Sequence, residues 1–149
     1  MGTRSFIVRQ IDTGIEGVYC HWNGYPDYNG RILQEYYSEP EKLKRLIAGG
    51  EISSLAPEIG SQHDFDSRPK GQTTYYHRDR GDDWKDVRPR RFKTLKALCR
   101  HAQRCGCEYL YLFDGQNWQY AERGVQFFCL SDGSPFSAFK PLPAEIANT

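Results

Sequence analysis

The feature that most constrains the fold is the alternating pattern on either side of Asp114-Gly115. Residues 108–113 and 116–121 both alternate in side-chain type, and Asp-Gly supplies the positive backbone angles of a tight turn. A β-hairpin is therefore predicted. Alternation places two groups on opposite faces. One face holds Tyr109, Tyr111, Phe113, Trp118 and Tyr120, and the other holds Leu110 and Leu112. Both faces are expected to be covered.

The pairing within this hairpin depends on the length of its loop. A two-residue turn sets Tyr111 opposite Trp118 and Tyr109 opposite Tyr120. A four-residue loop shifts the register but leaves the same side chains on the same face.

The remaining periodicity predicts short elements along the whole chain. Strands are predicted at residues 5–10, 15–22, 73–77 and 125–130, and the first two are predicted to form a hairpin around Asp12-Thr13-Gly14. Helices are predicted from near Asn29, after a capping box of Ser38 and Glu41, and over residues 92–104. Residues 51–71 lack periodicity, which predicts a long loop that begins at Leu55.

The order of these elements does not alternate as it does in a parallel α/β protein. We predict one α+β domain over residues 1–140 and a C-terminal tail at 141–149. Its sheet is expected to be mainly antiparallel, with about five to six strands and about three helices packed on it. No apolar run reaches the ~18 residues of a membrane span, and residues 1–10 lack a signal-peptide core. A cytoplasmic protein without membrane contact is expected.

The cysteines follow no secreted pattern, and an odd number of them indicates reduced thiols. They are Cys20, Cys99, Cys105, Cys107 and Cys129. Cys105-Gly106-Cys107 could hold a soft metal with Cys99 or His101, but zinc sites usually show two separated pairs. We therefore predict neither a metal nor another cofactor.

The net charge of +1 conceals a strong segregation. Residues 68–104 contain 12 basic and 4 acidic side chains, whereas residues 1–67 and 105–149 carry −4 and −3. This segment is either a surface for an anionic partner or a solvated face that pairs with the acidic thirds, and the two interpretations have equal weight. The predicted basic surface comprises Lys85, Arg88, Arg90, Arg91, Lys93, Lys96, Arg100 and Arg104. DNA binding through it would weaken with salt, although no nucleic-acid-binding motif is evident.

An aromatic cluster falls where the second strand meets a turn, in residues 19–30, YCHWNGYPDYNG. His21, Trp22 and Tyr25 could stack a base and hydrogen-bond it, which makes them candidate ligand-binding residues. The alternative is that these rings close one end of the sheet.

A pair of arginines, Arg78 and Arg80, alternates with Asp79. On an extended strand both arginines would lie on one side, where their forked donors suit phosphate or carboxylate. The alternative is a salt-bridged strand end. His-Arg-Asp is also found in kinase catalytic loops, but the chain lacks the other kinase motifs.

If the protein is an enzyme, a set of candidate catalytic residues can be named. It would combine His63, Asp64 and Asp66 with His77 and Asp79, to hold a divalent metal and a hydrolytic water. The alternative is a polar surface loop, and no catalytic residue is predicted outright.

Four motifs resemble those of a group of small proteins encoded by tailed phages and prophages. They are MGTRSFI at residues 1–7, YCHWNGYP at 19–26, YHRDRG at 76–81, and YLYLFDG at 109–115 followed by Trp118. The resemblance implies a phage accessory protein that acts by binding, and it carries no catalytic motif. Such a protein would inhibit a bacterial defence system, either at a CRISPR complex or by sequestering a nucleotide immune signal.

Three function classes follow. The leading one is a binding protein whose partner is a host defence protein, a ribonucleoprotein or a small phosphorylated ligand, and a homodimer could build the pocket. The alternative is a metal-dependent or acid–base hydrolase of nucleic acid or nucleotides. A weaker alternative is a DNA-binding accessory protein.

Overall fold

A sheet of eight strands runs through the molecule, and helices lie against both of its faces. The computed structural model describes residues 2–123 and 136–142. The strands are β1 (Ser5–Ile11), β2 (Gly14–Cys20), β3 (Ile52–Ser54), β4 (Thr74–Tyr75), β5 (Arg90–Phe92), β6 (Tyr109–Phe113), β7 (Trp118–Glu122) and β8 (Lys140–Pro141). The helices are a π-helical turn (Pro26–Gly30), α1 (Arg31–Tyr36), α2 (Pro40–Ala48), α3 (Tyr76–Arg80), α4 (Trp84–Val87) and α5 (Leu95–Arg104).

The two predicted hairpins form the centre of the sheet. β1 pairs with β2 and β6 pairs with β7, both antiparallel, while β1 and β6 lie side by side in parallel. The order is β4-β3-β2-β1-β6-β7-β8, and β5 also pairs with β2. The α+β class is confirmed. The sheet is mixed, because β2 and β3 are also parallel, and it has more strands than predicted.

The hairpin of β6 and β7 has a four-residue loop. The carboxylate of Asp114 accepts the N–H groups of Gln116 and Asn117 at 2.9 and 2.7 Å, which stabilises the wider loop. Tyr111 therefore pairs with Tyr120, and the two-residue register is wrong. The predicted distribution between faces is confirmed, because the shift keeps the same residues on each side.

Each face of the sheet has its own hydrophobic core. The core beneath α1 and α2 contains Ile7, Val18, Cys20, Leu33, Tyr37, Leu43, Leu46, Ile47, Ile52, Leu55, Tyr75, Tyr111, Phe113, Trp118 and Leu142. The core beneath α5 contains Phe6, Val8, Ile15, Leu98, Cys99, Ala102, Cys107, Leu110, Leu112, Ala121 and Phe136. Helices on both faces explain why the alternating strands have few exposed positions.

Several local predictions are corrected. Glu39, rather than Ser38, caps α2, since its carboxylate accepts the N–H groups of Glu41 and Lys42. The strand predicted at residues 73–77 ends at Tyr75, where α3 begins. The strands β3 and β5 were missed, because three residues are too few to show a period.

The C-terminal boundary also differs from the prediction. Pro141 pairs with Gln119 in β8, and Leu142 is buried in the α1–α2 core, so the fold includes the first residues of the predicted tail. The strand predicted at 125–130 lies outside the described residues. No helix in the described part of the chain is long and apolar enough to cross a membrane.

Candidate functional site

The floor of the candidate site is the part of the α5 face formed by β2 and β3. Cys20 and Ile52 pair with each other and lie in the core on the opposite face. Side-chain alternation therefore turns Tyr19, His21 and Ser53 toward the α5 side. Tyr19 and His21 keep partial exposure, while Ser53 is fully buried. The result is a polar floor beside a hydrophobic core.

A hydrogen bond of 2.7 Å joins the Tyr19 hydroxyl to Nδ1 of His21. Burial raises the pKa of Tyr19, so the hydroxyl keeps its proton. Burial also lowers the pKa of His21, and the nearby Arg4 and Arg68 lower it further. The imidazole is therefore neutral at pH 7 and carries one N–H donor.

The Trp22 indole lies edge-on to this imidazole, with ring centroids 4.7 Å apart. Gly2 packs against the indole, and a Cβ at Gly2 would lie 2.6 Å from a ring carbon. The amino-terminal segment therefore fixes the position of Trp22.

A stacked group around Tyr76 forms one wall. The guanidinium of Arg80 lies 4.7 Å from the Tyr76 ring and 5.0 Å from the Phe65 ring, and the two rings are 5.7 Å apart. Burial raises the pKa of Tyr76, while the neighbouring Ser53 hydroxyl lowers it. Ser53 Oγ makes no hydrogen bond of acceptable geometry, so it is an unpartnered buried hydroxyl beside the phenol.

Glu51 lies near the junction of this wall with β5. Burial raises the pKa of its carboxyl group, and the attraction of Arg90 opposes that effect. The same carboxylate helps to raise the pKa of Tyr76 and of Cys105, behind the effect of burial on each. Glu51 is thus a partly buried acid that interacts with both sides of the site.

Cys105 lies 3.5 Å from Nε2 of His101 at the end of α5. Burial raises the pKa of Cys105 and lowers the pKa of His101, which favours a neutral thiol and a neutral ring. A helix carboxyl terminus also disfavours a thiolate. This pair is therefore unsuited to act as a nucleophile and base.

Four arginines from separate segments lie near these side chains, because Arg4 and Arg68 affect the pKa of His21, Arg80 that of Tyr76 and Arg90 that of Glu51. Arg4 precedes β1 and donates to the carbonyl of Cys105 at 3.1 Å. Arg68 belongs to the loop before β4, Arg80 ends α3, and Arg90 begins β5. We name this set, with Tyr19, His21, Glu51, Ser53, Phe65 and Tyr76, the arginine cleft. Several guanidinium groups around neutral donors are suited to bind an anion.

The predicted arginine pair is split by α3. Residues two apart on a helix point in different directions, so the prediction of one shared side is wrong. Arg78 points inward and donates to the carbonyls of Ile59 and Thr73 and to both carboxylate oxygens of Asp79. Arg80 points outward, where it stacks on Tyr76 and Phe65 and donates two hydrogen bonds of 2.8 Å to the Asp82 carboxylate.

The catalytic set is not assembled in the structure. His63 Nε2 lies 3.7 Å from Asp79 and hydrogen-bonds to Thr74 at 3.0 Å. His77 instead hydrogen-bonds to the Asp82 carbonyl and packs against the Trp84 ring. Asp64 and Asp66 are exposed. Among residues 2–123 and 136–142, no three His, Cys, Asp or Glu side chains converge as a metal site would require.

The other predicted residues are dispersed. Tyr25 packs against Tyr28 at 6.1 Å on the π-helical turn, while His21 and Trp22 line the cleft. The predicted basic surface is divided as well. Arg91 pairs with Glu16 at 3.2 Å, Arg90 faces the cleft, and an exposed group lies along α5 and its flanks. That group is Lys93, Lys96, Arg100 and Arg104, with Arg88 and Lys85 preceding it.

Sequence reasoning missed most of the cleft, because it predicted only His21, Arg80 and Arg90 among the binding residues. Tyr19 could have been found, since it lies two residues before His21 on a predicted strand and so shares its face. Glu51 and Ser53 fall in a segment without periodicity, and Arg4 and Arg68 follow no motif. Only the sheet order brings these positions together.

A separate depression of about 310 Å³ lies between α1 and the β6–β7 loop. Gln34, Asn117 and Gln119 line it together with Trp118. Among the described residues that line it, Asp114 is the only charged group, so the arginine cleft is the better candidate site for an anion.

Comparisons with protein-family models, with curated proteins and with solved structures found no match to this chain.

Proposed function

We propose that this protein binds a small phosphorylated ligand of the nucleotide class in the arginine cleft. The observation that carries the proposal is that Arg4 and Arg68 lie near enough to His21, Arg80 to Tyr76 and Arg90 to Glu51 to shift the pKa values of these groups. Guanidinium groups bind phosphate oxygens through paired hydrogen bonds, and the partly buried floor strengthens such bonds.

The aromatic and acidic groups favour a nucleotide over a simple phosphate. The rings of Tyr76 and Trp22 offer faces or edges for a base, as aromatic side chains do in other nucleic-acid sites. The Glu51 carboxylate would accept hydrogen bonds from ribose hydroxyls or a base amino group, as an acidic residue does in dinucleotide sites.

The phage setting stays a prediction that rests on the motif resemblance. Of the two modes of inhibition, sequestration of a nucleotide signal is the one that the arginine cleft supports, because its arginines lie near a partly buried floor. Inhibition of a CRISPR complex would need a broad exposed surface. A homodimer that completes the pocket also stays a prediction.

A second candidate function is acid–base hydrolysis of a phosphorylated ligand. The observation that favours it is Glu51, a partly buried carboxyl whose pKa is raised by burial beside Arg90 and Tyr76. A raised pKa suits a general acid near neutral pH. In this candidate Glu51 replaces His77 and Asp79, which lie outside the cleft.

The binding proposal is tested by isothermal titration calorimetry with ADP, with adenosine as the matched ligand that lacks phosphate. We expect ADP to bind and adenosine to bind at least about tenfold more weakly, since a charge-assisted hydrogen bond contributes about 1.5–3 kcal/mol. Arg80→Gln should weaken ADP binding by a similar factor. Arg91→Gln is the control, because it also removes an exposed, carboxylate-paired arginine, at a site away from the cleft.

Two results would contradict the proposal. One is equal binding of ADP and adenosine. The other is an equal loss of ADP affinity in Arg80→Gln and Arg91→Gln, since net charge alone would then explain the effect.

Glu51→Gln separates the two candidate functions. A binding protein should keep its ADP affinity, because the glutamine amide oxygen still accepts a hydrogen bond from ribose or base. An enzyme should lose phosphate release from ADP by about 100-fold or more, as expected when a general acid is removed. Phosphate release is measured on the same samples.

A further inference from the structure

The exposed side of α5 carries a basic stripe. Lys96, Arg100 and Arg104 recur every four residues, opposite the buried Leu98 and Ala102. All three basic side chains are exposed, and Lys93 lies just before the helix. We name these four residues the α5 basic face.

Among the residues that the structure describes, this face has no carboxylate in ion-pair contact. Residues 87–107 contain no aspartate or glutamate. Within the described part of the chain, no carboxylate lies within 4.0 Å of the cationic groups of Lys93, Lys96, Arg100 or Arg104. Like charges four residues apart destabilise a helix.

The other long helix shows the contrast. On α2, Lys44 and Arg45 share the exposed side with Glu41, and Lys42 pairs with Glu58 at 3.5 Å. Mixed charges of this kind are typical of a solvated surface. The single sign on α5 is instead typical of a surface that meets an anion.

We propose that the α5 basic face binds the phosphate backbone of duplex nucleic acid without reading its sequence. The stripe from Lys96 to Arg104 spans about 12 Å of helix, which matches about three to four base pairs of duplex. This surface is distinct from the arginine cleft, so the inference does not depend on the cleft's ligand.

The composition of the face favours nucleic acid over an acidic protein surface. Protein interfaces are enriched in aromatic residues and depleted in lysine at their centre. The exposed side of α5 has no aromatic residue, and its exposed apolar residue is Leu95, 42% exposed at the start of the helix. Single-stranded nucleic acid would need exposed rings for stacking, which α5 lacks.

The test is fluorescence anisotropy with a labelled duplex DNA of about 20 base pairs, over salt concentrations from about 50 to 200 mM. We expect weak binding that falls steeply with salt, with a logarithmic slope near −3 for three to four phosphate contacts. Lys96→Gln/Arg100→Gln should reduce the slope by about 2. Lys44→Gln/Arg45→Gln is the matched control, because it removes the same charge from the exposed side of α2, and it should keep the wild-type slope.

Three outcomes would overturn the inference. One is the absence of duplex binding at about 50 mM salt, where phosphate contacts are strongest. Another is an equal loss in the two double variants, which would indicate a general charge effect. The third is competition by polyglutamate as effective as that by unlabelled duplex, which would indicate an acidic protein partner. Arg80→Gln should leave duplex binding unchanged, which keeps this result separate from that for the arginine cleft.

Discussion

Arg78 and Arg80 lie two residues apart and make opposite use of the same side chain. Arg78 is 21% exposed, and its donors bond to two backbone carbonyls and to Asp79. Arg80 is 50% exposed, rests on two aromatic rings, and pairs with Asp82. One short helix therefore presents one arginine to the interior and the other to the arginine cleft.

The contrast separates a structural ion pair from a surface that can bind a ligand. Asp79 accepts four hydrogen bonds, from Arg78 twice and from the N–H groups of His63 and Tyr75. These contacts fasten the loop before β4 to α3. Arg80 is also paired, but its partner Asp82 is partly exposed, so an anion from solvent can compete for its donors. A cation whose donors face solvent can bind a ligand, whereas one that is saturated in the interior holds the fold.

The largest effect is expected from breaking the interior pair. Arg78→Gln should lower the free energy of unfolding by about 3–5 kcal/mol, since it leaves the buried carboxylate of Asp79 without its cation. Arg80→Gln should lower it by less than about 1 kcal/mol, because its ion pair is exposed to solvent. Urea unfolding at pH 7 measures both. Equal losses would show that the two arginines do not differ in role.

A second prediction concerns the stability of the fold at low pH. Burial alone would raise the pKa of Asp79, but the bonds from Arg78, Tyr75 and His63 lower it overall. Its ionised form therefore stabilises the fold above the unfolded pKa of about 3.9, and this stabilisation is lost as pH falls through the native value. Asp79→Asn should be less stable than wild type at pH 7, with a gap that narrows below about pH 5.

The control for this prediction is Asp82→Asn. Its ion pair with Arg80 is exposed, so its gap from wild type should be small at every pH. Urea unfolding between about pH 3 and 7 measures the two gaps. A gap for Asp79→Asn that stays constant with pH would rule out titration of Asp79 as the cause.

The smallest effect on stability is expected for Glu51 in the arginine cleft, where the substitution should stabilise the fold. Burial raises the pKa of Glu51, so the folded protein favours its protonated form. The stability that this provides is present below the unfolded pKa of about 4.3 and is lost as pH rises through the native value. Glu51→Gln should therefore raise the melting temperature at pH 7, with a gain below about 1 kcal/mol because the group is partly exposed. Thermal unfolding measures this gain, and a lower melting temperature at pH 7 would refute the cost assigned to the ionised group.

The aromatic hairpin was predictable because its signals are local. Alternation in β6 and β7 identifies two faces from neighbouring residues alone, and the structure confirms them. The loop length was decided by the hydrogen bonds of Asp114, so the pairing register could not be read from the Asp-Gly pair. The helix α3 was missed in the same way, because its contacts are not visible in the alternation of residues 73–77. The Tyr75 N–H donates to the Asp79 carboxylate where α3 begins, and Gly81 ends α3 in a left-handed conformation.

The sequence by itself determined the α+β class, the two central hairpins, the amphipathic α5 and the concentration of basic residues in one third of the chain. Only the tertiary structure decided which side chains lie near one another in the arginine cleft. Arg4, Glu51, Arg68, Arg80 and Arg90 come from separate segments, and pairing of β2 with β1, β3 and β5 brings those segments to one face. The physical reason is that alternation and helical spacing are properties of neighbouring residues, whereas a cleft depends on long-range strand order and on which donors find partners in the interior.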